Sequence, residues 1–140
     1  MKKVVLTIII GLFAFTANAQ KVKLKRGEVL LDGNAIFKFE REVFGVYKIH
    51  LYSLESDDEI IEINKNDNET STYYDDDFVQ IRFLSEGKLV ELKMDRSFKK
   101  IIQWIIKKKV IMKSGKINKE KLDLFIKNYH ENITSRTFRN

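Results

Sequence analysis

Apolar and polar residues alternate through most of residues 21 to 94, and the spacing then changes to one with a helical period. "KVKLK" puts Val22 and Leu24 on one face of a strand. "VLLDGNAIFKF" sets Asp32-Gly33 between two apolar runs, the strongest short-range hairpin signal. From 43 to 53, Val43, Gly45, Tyr47, Ile49 and Leu51 oppose Phe44, Val46, Lys48, His50 and Tyr52. "EIIEI" predicts a short strand before a polar loop, "NKNDNETS". "FVQIRFL" and "KLVELKM" alternate again across Ser85-Glu86-Gly87. Together these segments predict about six or seven short antiparallel strands in a meander.

Two helices are expected next. In "SFKKIIQWIIKKKVIMKSGK", Phe98, Ile101, Ile102 and Ile105 share one arc of a helical wheel, with Ile106 and Trp104 at its margins. Lys99, Lys100, Gln103 and Lys107 share the opposite arc. Asp95 or Ser97 can cap the start. Lys109 would fall inside the apolar arc, so the helix should end or distort near Lys108, with "VIM" a separate apolar piece and Gly115 a turn. The second helix has Asn118 as N-cap and Ile117 with Leu122 as a hydrophobic staple. Leu122, Phe125, Ile126 and Tyr129 form its apolar stripe, Asp123 and Lys127 a surface pair, and the tail from Asn132 reads as frayed.

A one-sided sheet needs a cover, and a helical hairpin supplies one. The expected fold is therefore α+β: an antiparallel meander followed by a C-terminal two-helix hairpin packed on the sheet. The lysine-rich helix reads first as a core helix with a solvated face.

The N-terminus changes the compartment. "MKKVVLTIIIGLFAFTANAQ" has a basic start at Lys2 and Lys3, an apolar run of 12 residues from Val4 to Phe15, and a small-x-small site at Ala17-Asn18-Ala19. The run falls short of the roughly 20 residues that span a membrane. Residues 1–19 are read as a signal peptide and residues 20–140 as a single exported domain, periplasmic or extracellular. No cysteine follows the apolar run, which excludes a lipoprotein anchor, and no later segment reads as transmembrane. Export permits disulfides, yet the chain has no cysteine, so its stability must come from packing.

Charge is segregated along the chain. The formal total is +6, and loss of Lys2 and Lys3 with the leader brings it to +4. Residues 55 to 77 carry ten acidic groups with Lys65 as their only cation, whereas residues 96 to 121 carry ten basic groups against Glu120. Such a field steers charged partners, or lets the two halves pair with each other. With no proline in the chain, charge is also the expected protection for the sheet edges.

Catalytic signals are thin. His50 lies mid-strand and His130 at a helix end, and both read as surface or capping residues. The serines sit in no nucleophile-elbow pattern, and phosphate-loop and zinc-protease signatures are missing. Asn64, Asn66 and Asn68 mimic the first positions of a calcium loop, but Glu69 stands where glycine belongs and Asp75 where glutamate belongs. No metal-ligand set, cofactor or catalytic residue is therefore expected. A pI near 9.4 raises nucleic acid as a partner, but the chain has no helix-turn-helix, zinc-finger or RNA-recognition signature.

Taken as a whole, "GEVLLDGNAIFKFE" followed by "WIIKKKVIMKSGKINKEKLDLFIKNY" resembles the small exported, uncharacterised (hypothetical) proteins of the Bacteroidetes type. Val29 to Phe37 and Ile105 to Phe125 carry the likeness. It implies export and this architecture, and it brings no activity with it.

The resulting expectation is a non-enzymatic exported domain acting by surface interaction with the cell envelope or a macromolecular partner. Lys99, Lys100 and Lys107 would contact an anionic lipid or polysaccharide surface, or a protein partner. The alternative is a small secreted hydrolase or small-ligand-binding protein, whose mark would be a deep cleft holding His50 or His130 beside a carboxylate. N-terminal mass analysis of the exported protein is expected to begin at Gln20, and a product retaining Met1 would refute the leader.

Overall fold

Two tight turns organise the start of the domain. The computed structural model describes residues 20–42, 44, 47–66 and 77–137, so the expected leader at residues 1–19 lies outside the described residues. Strands β1 (Val22–Lys25), β2 (Glu28–Leu31) and β3 (Asn34–Glu42) are joined by Arg26-Gly27 and Asp32-Gly33. All four turn residues have positive φ, from 51° to 85°. That is the twist that two-residue hairpins require, and glycine meets it without a Cβ clash.

The meander continues through β4 (Tyr47–Tyr52), β5 (Glu59–Asn66), β6 (Phe78–Phe83) and β7 (Lys88–Leu92). All seven strands form one antiparallel sheet in the order β1-β2-β3-β4-β5-β6-β7. A short 3-10 turn at Leu84–Glu86, closed by left-handed Gly87, links the last two. Alternation puts Phe37, Ile49, Leu51, Ile61, Ile63 and Ile81 on one fully buried face.

Helices α1 (Phe98–Lys107) and α2 (Lys119–Tyr129) cover that face. Ile101, Ile102, Ile105 and Ile106 of α1 and Leu122 and Phe125 of α2 are buried in the same core. Ser97 caps α1 by accepting from the Lys100 N–H, and Asn118 caps α2 by accepting from the Lys121 N–H. Trp104, Phe125 and Tyr129 lock the helices together, with ring centroids 4.7 to 5.0 Å apart. The link between the helices is itself hairpin-like. Ile111 bridges to Ile117, Met112 and Lys116 share a backbone bond, and Gly115 turns the chain at φ 82°. A Cβ on Gly115 would lie 2.6 Å from the carbonyl oxygen of Ile36, so this turn is seated directly on β3.

The meander with its helical cover is the α+β architecture that the periodicity predicts, and four details differ. β4 begins at Tyr47, and Phe44, expected within the strand, is 97% exposed in a bend. Asn64, Lys65 and Asn66, expected in a loop, extend β5, because they pair with β6 from Gln80 to Phe78. The tail does not fray at Asn132: α3 (Ile133–Thr137) follows, with Ile133 buried. Its anchor is Glu91 on the outer sheet face, only 1% exposed. The Glu91 carboxylate accepts from the Thr134 N–H and hydroxyl and from Gln80. Burial alone would push this carboxyl up, but the hydrogen bonds from Thr134 and Gln80 outweigh it and hold it below its ordinary value. The expected Asp123–Lys127 pair does not form among the described residues.

Truncating the helical cover should be costly, because the lost side chains leave cavities against a rigid sheet. Ile105→Ala or Phe125→Ala is expected to cost about 2–5 kcal/mol in urea unfolding. A loss below about 0.5 kcal/mol at both positions would show that the hairpin contributes no packed core.

Candidate functional site

The end of α1 creates the most distinctive surface of the domain. The helix stops as its apolar arc predicts: Lys108 is the C-cap, and Lys109 turns left-handed at φ 63°. The Lys109 N–H donates to the Ile106 carbonyl and the Val110 N–H to the Ile105 carbonyl, at 2.8 and 3.2 Å. This is the Schellman pattern, completed by the buried pair Val110 and Ile105. Glycine is the usual residue at the left-handed position. Here it is a lysine, and its side chain is thrown outward instead of into the core.

Beside this turn lies a groove of about 650 Å³. Val22 of β1, Ile106 of α1, and Ile111 and Met112 of the link are its apolar lining. Lys107, Lys109, Lys113 and Lys121 supply its charge, with Gln20, Gln103 and Asn118 adding neutral polar groups. The volume is in the range of small-molecule sites. All four lysines are exposed, and among the described residues none of them makes an ion pair. Other lysines are engaged: Lys119 pairs with Glu86 at 3.7 Å, and Lys108 stands 5.5 Å over the Tyr129 ring.

Lys99, Lys100 and Lys107 are all exposed on one side of α1, but only Lys107 reaches the groove. Lys100 lies seven residues earlier, about 10 Å along the helix axis, which is about one Debye length at moderate salt. The groove takes its other cations from Lys109, Lys113 and Lys121, which a helical wheel does not group with Lys107. Only the fold of the link brings them together.

The histidines have definite partners. His130 caps α2, and its Nδ1 accepts from the Glu91 N–H at 3.0 Å, so it serves the tail. His50 projects from β4 on the face turned away from the helices. Its Nδ1 lies 2.6 Å from Glu59 Oε1 and its Nε2 2.9 Å from Glu42 Oε1. Burial disfavours the charged ring, but the bonds to Glu59 and Glu42 outweigh it, so His50 titrates above its ordinary value. Of the acidic run 55–77, Asp57 pairs with Lys38, and Glu59 and Glu62 gather at His50. Asn68, Glu69, Asp75 and Asp76 lie outside the described residues.

A lysine held left-handed carries backbone strain of roughly 1–2 kcal/mol. Lys109→Gly is therefore expected to stabilise the domain by about 0.5–1 kcal/mol in urea melts, with Lys109→Ala giving no such gain. Destabilisation by the glycine variant would show that the lysine side chain, not the backbone, secures the helix end.

No protein-family model, curated protein or solved structure matches the chain.

Proposed function

We propose that this is a non-enzymatic exported domain that binds the anionic lipid surface of the cell envelope through the groove at the end of α1. The observation that carries the reading is the pairing of four lysines with the apolar lining of Val22, Ile106, Ile111 and Met112. Cations alone would suit any polyanion. An apolar lining beneath them suits a headgroup with acyl chain attached, which supports lipid over polysaccharide. The strained lysine at position 109 supports the same reading, because the backbone there favours glycine and the side chain serves the groove. Lys99 and Lys100 add charge on the same helix without entering the groove.

The magnitudes suit reversible attachment. Each lysine near an anionic membrane contributes on the order of 1 kcal/mol. Four acting together give useful affinity at low salt that fades as the Debye length shrinks to about 8 Å at physiological ionic strength. No described helix is long and apolar enough to cross a membrane, so attachment would be peripheral. The hydrolase alternative has less support: both ring nitrogens of His50 face carboxylates, and His130 Nδ1 is taken by the Glu91 backbone. Both nitrogens of His50 are thus engaged, and His130 has its Nδ1 lone pair committed to a backbone N–H, where a general base needs a lone pair open to substrate.

Co-sedimentation with vesicles tests the reading. The protein is expected to pellet with anionic vesicles at low ionic strength, to remain soluble with neutral ones, and to be released by salt. Changing Lys107, Lys109, Lys113 and Lys121 together to Gln should abolish most of the binding, and Lys99/Lys100→Gln should reduce it less. A wild-type protein that ignores anionic vesicles, or a fourfold variant that binds equally well, would reduce the groove to solvated surface. Equal competition by an anionic polysaccharide would reassign the partner.

A further inference from the structure

The outer face of the sheet holds a second cluster, made possible by an irregularity in β5. Glu59 and Glu62 are three residues apart, so in a regular strand they would point to opposite faces. The β4–β5 register shifts between Leu51 and Tyr52: Leu51 pairs with Ile61, but Tyr52 pairs with Glu59, which leaves Ile60 as an extra residue. This bulge brings Glu59 onto the face of Glu62, directly beside His50. Bulges of this kind re-aim side chains, and they are enriched beside functional sites.

We propose that His50, Glu59 and Glu62 form a binding site for a divalent transition-metal ion of the zinc type. One imidazole nitrogen with two carboxylate oxygens is a ligand set such ions accept. One ligand atom from each residue falls within 4.8 Å of the others. His50 Nδ1 is 2.6 Å from Glu59 Oε1 and 3.9 Å from Glu62 Oε2. Ligand atoms about 2.0–2.2 Å from a tetrahedral zinc lie roughly 3.3 Å apart, so small side-chain rotations that open one gap and close the other accommodate the ion. The surroundings also resemble those of a metal site. His50 Nε2 meets Glu42 Oε1 at 2.9 Å, the carboxylate–histidine arrangement that orients a metal-ligating ring. Arg82 and Lys48 lie 3.5 and 4.0 Å from Glu62 Oε1, which turns the other oxygen, Oε2, toward His50. On binding, the metal takes the place of the Nδ1 proton, which leaves to solvent. The three side chains are half-buried rather than sealed, so water can complete the coordination.

Zinc titration of the purified protein, followed by calorimetry and by imidazole nitrogen NMR, tests this site. Saturable one-to-one binding is expected, with the Nδ1 resonance of His50 shifting much more than Nε2. His50→Gln should abolish it, and Glu59→Gln and Glu62→Gln should each weaken it. Glu42→Gln, which removes no ligand, should weaken binding about 10-fold or more while leaving the stoichiometry at one. Thermal melts in chelator confirm that each variant is folded before its affinity is read. Non-saturating binding, or one-to-one binding that is unchanged in the His50 and Glu59 variants, would overturn the site and leave the cluster as an ion-paired clasp.

Discussion

Burial of one face of the sheet under the helical hairpin is the constraint on which everything else rests. The chain has no disulfide, so its core must hold it alone. Ile101, Ile102, Ile105 and Ile106 meet a sheet face carrying Ile49, Ile61, Ile63 and Ile81, and all eight are essentially inaccessible to water. Each such side chain contributes about 1.5–3 kcal/mol on burial. Gly115 permits the close seating of the link on β3, and the Trp104–Phe125–Tyr129 cluster fixes the two helices to each other.

That requirement also dictates where polar chemistry is placed. A helix that buries its isoleucines must end where the apolar arc would next receive Lys109. The left-handed turn at Lys109 resolves the conflict by ejecting the lysine and returning Val110 to the core. The groove follows from this exit, because the link then folds back with Ile111 and Met112 beneath the lysines. On the opposite side of the sheet, no described helix covers β3 to β5. Its alternating positions there are Glu42, Lys48, His50 and Glu62, which satisfy one another through ion pairs. Near β7 the same face is closed by the tail, which Glu91 holds through buried hydrogen bonds. The basic groove and the carboxylate cluster at His50 thus lie on opposite sides of the sheet.

Much of this was written into local pattern. Period-two alternation, the Asp32-Gly33 turn, the Asn118 cap and the misfit of Lys109 on the helical wheel each involve neighbours a few residues apart. Local sterics and hydrogen bonding decide such features, so the sequence by itself determined the meander, the two helices, where α1 ends and which faces are apolar. Tertiary structure decided what depends on distant residues meeting. Lys107 joined Lys109, Lys113 and Lys121 rather than Lys99 and Lys100, because the link's own hairpin, not the helix, sets their positions. The tail became ordered because Glu91, more than forty residues before Thr134, needed hydrogen-bond partners once buried. Glu59 reached His50 only through the bulge at Ile60, and alternation within "EIIEI" assigns it to the wrong face. A bulge is settled by the pairing of two strands, so no single strand's sequence reveals it.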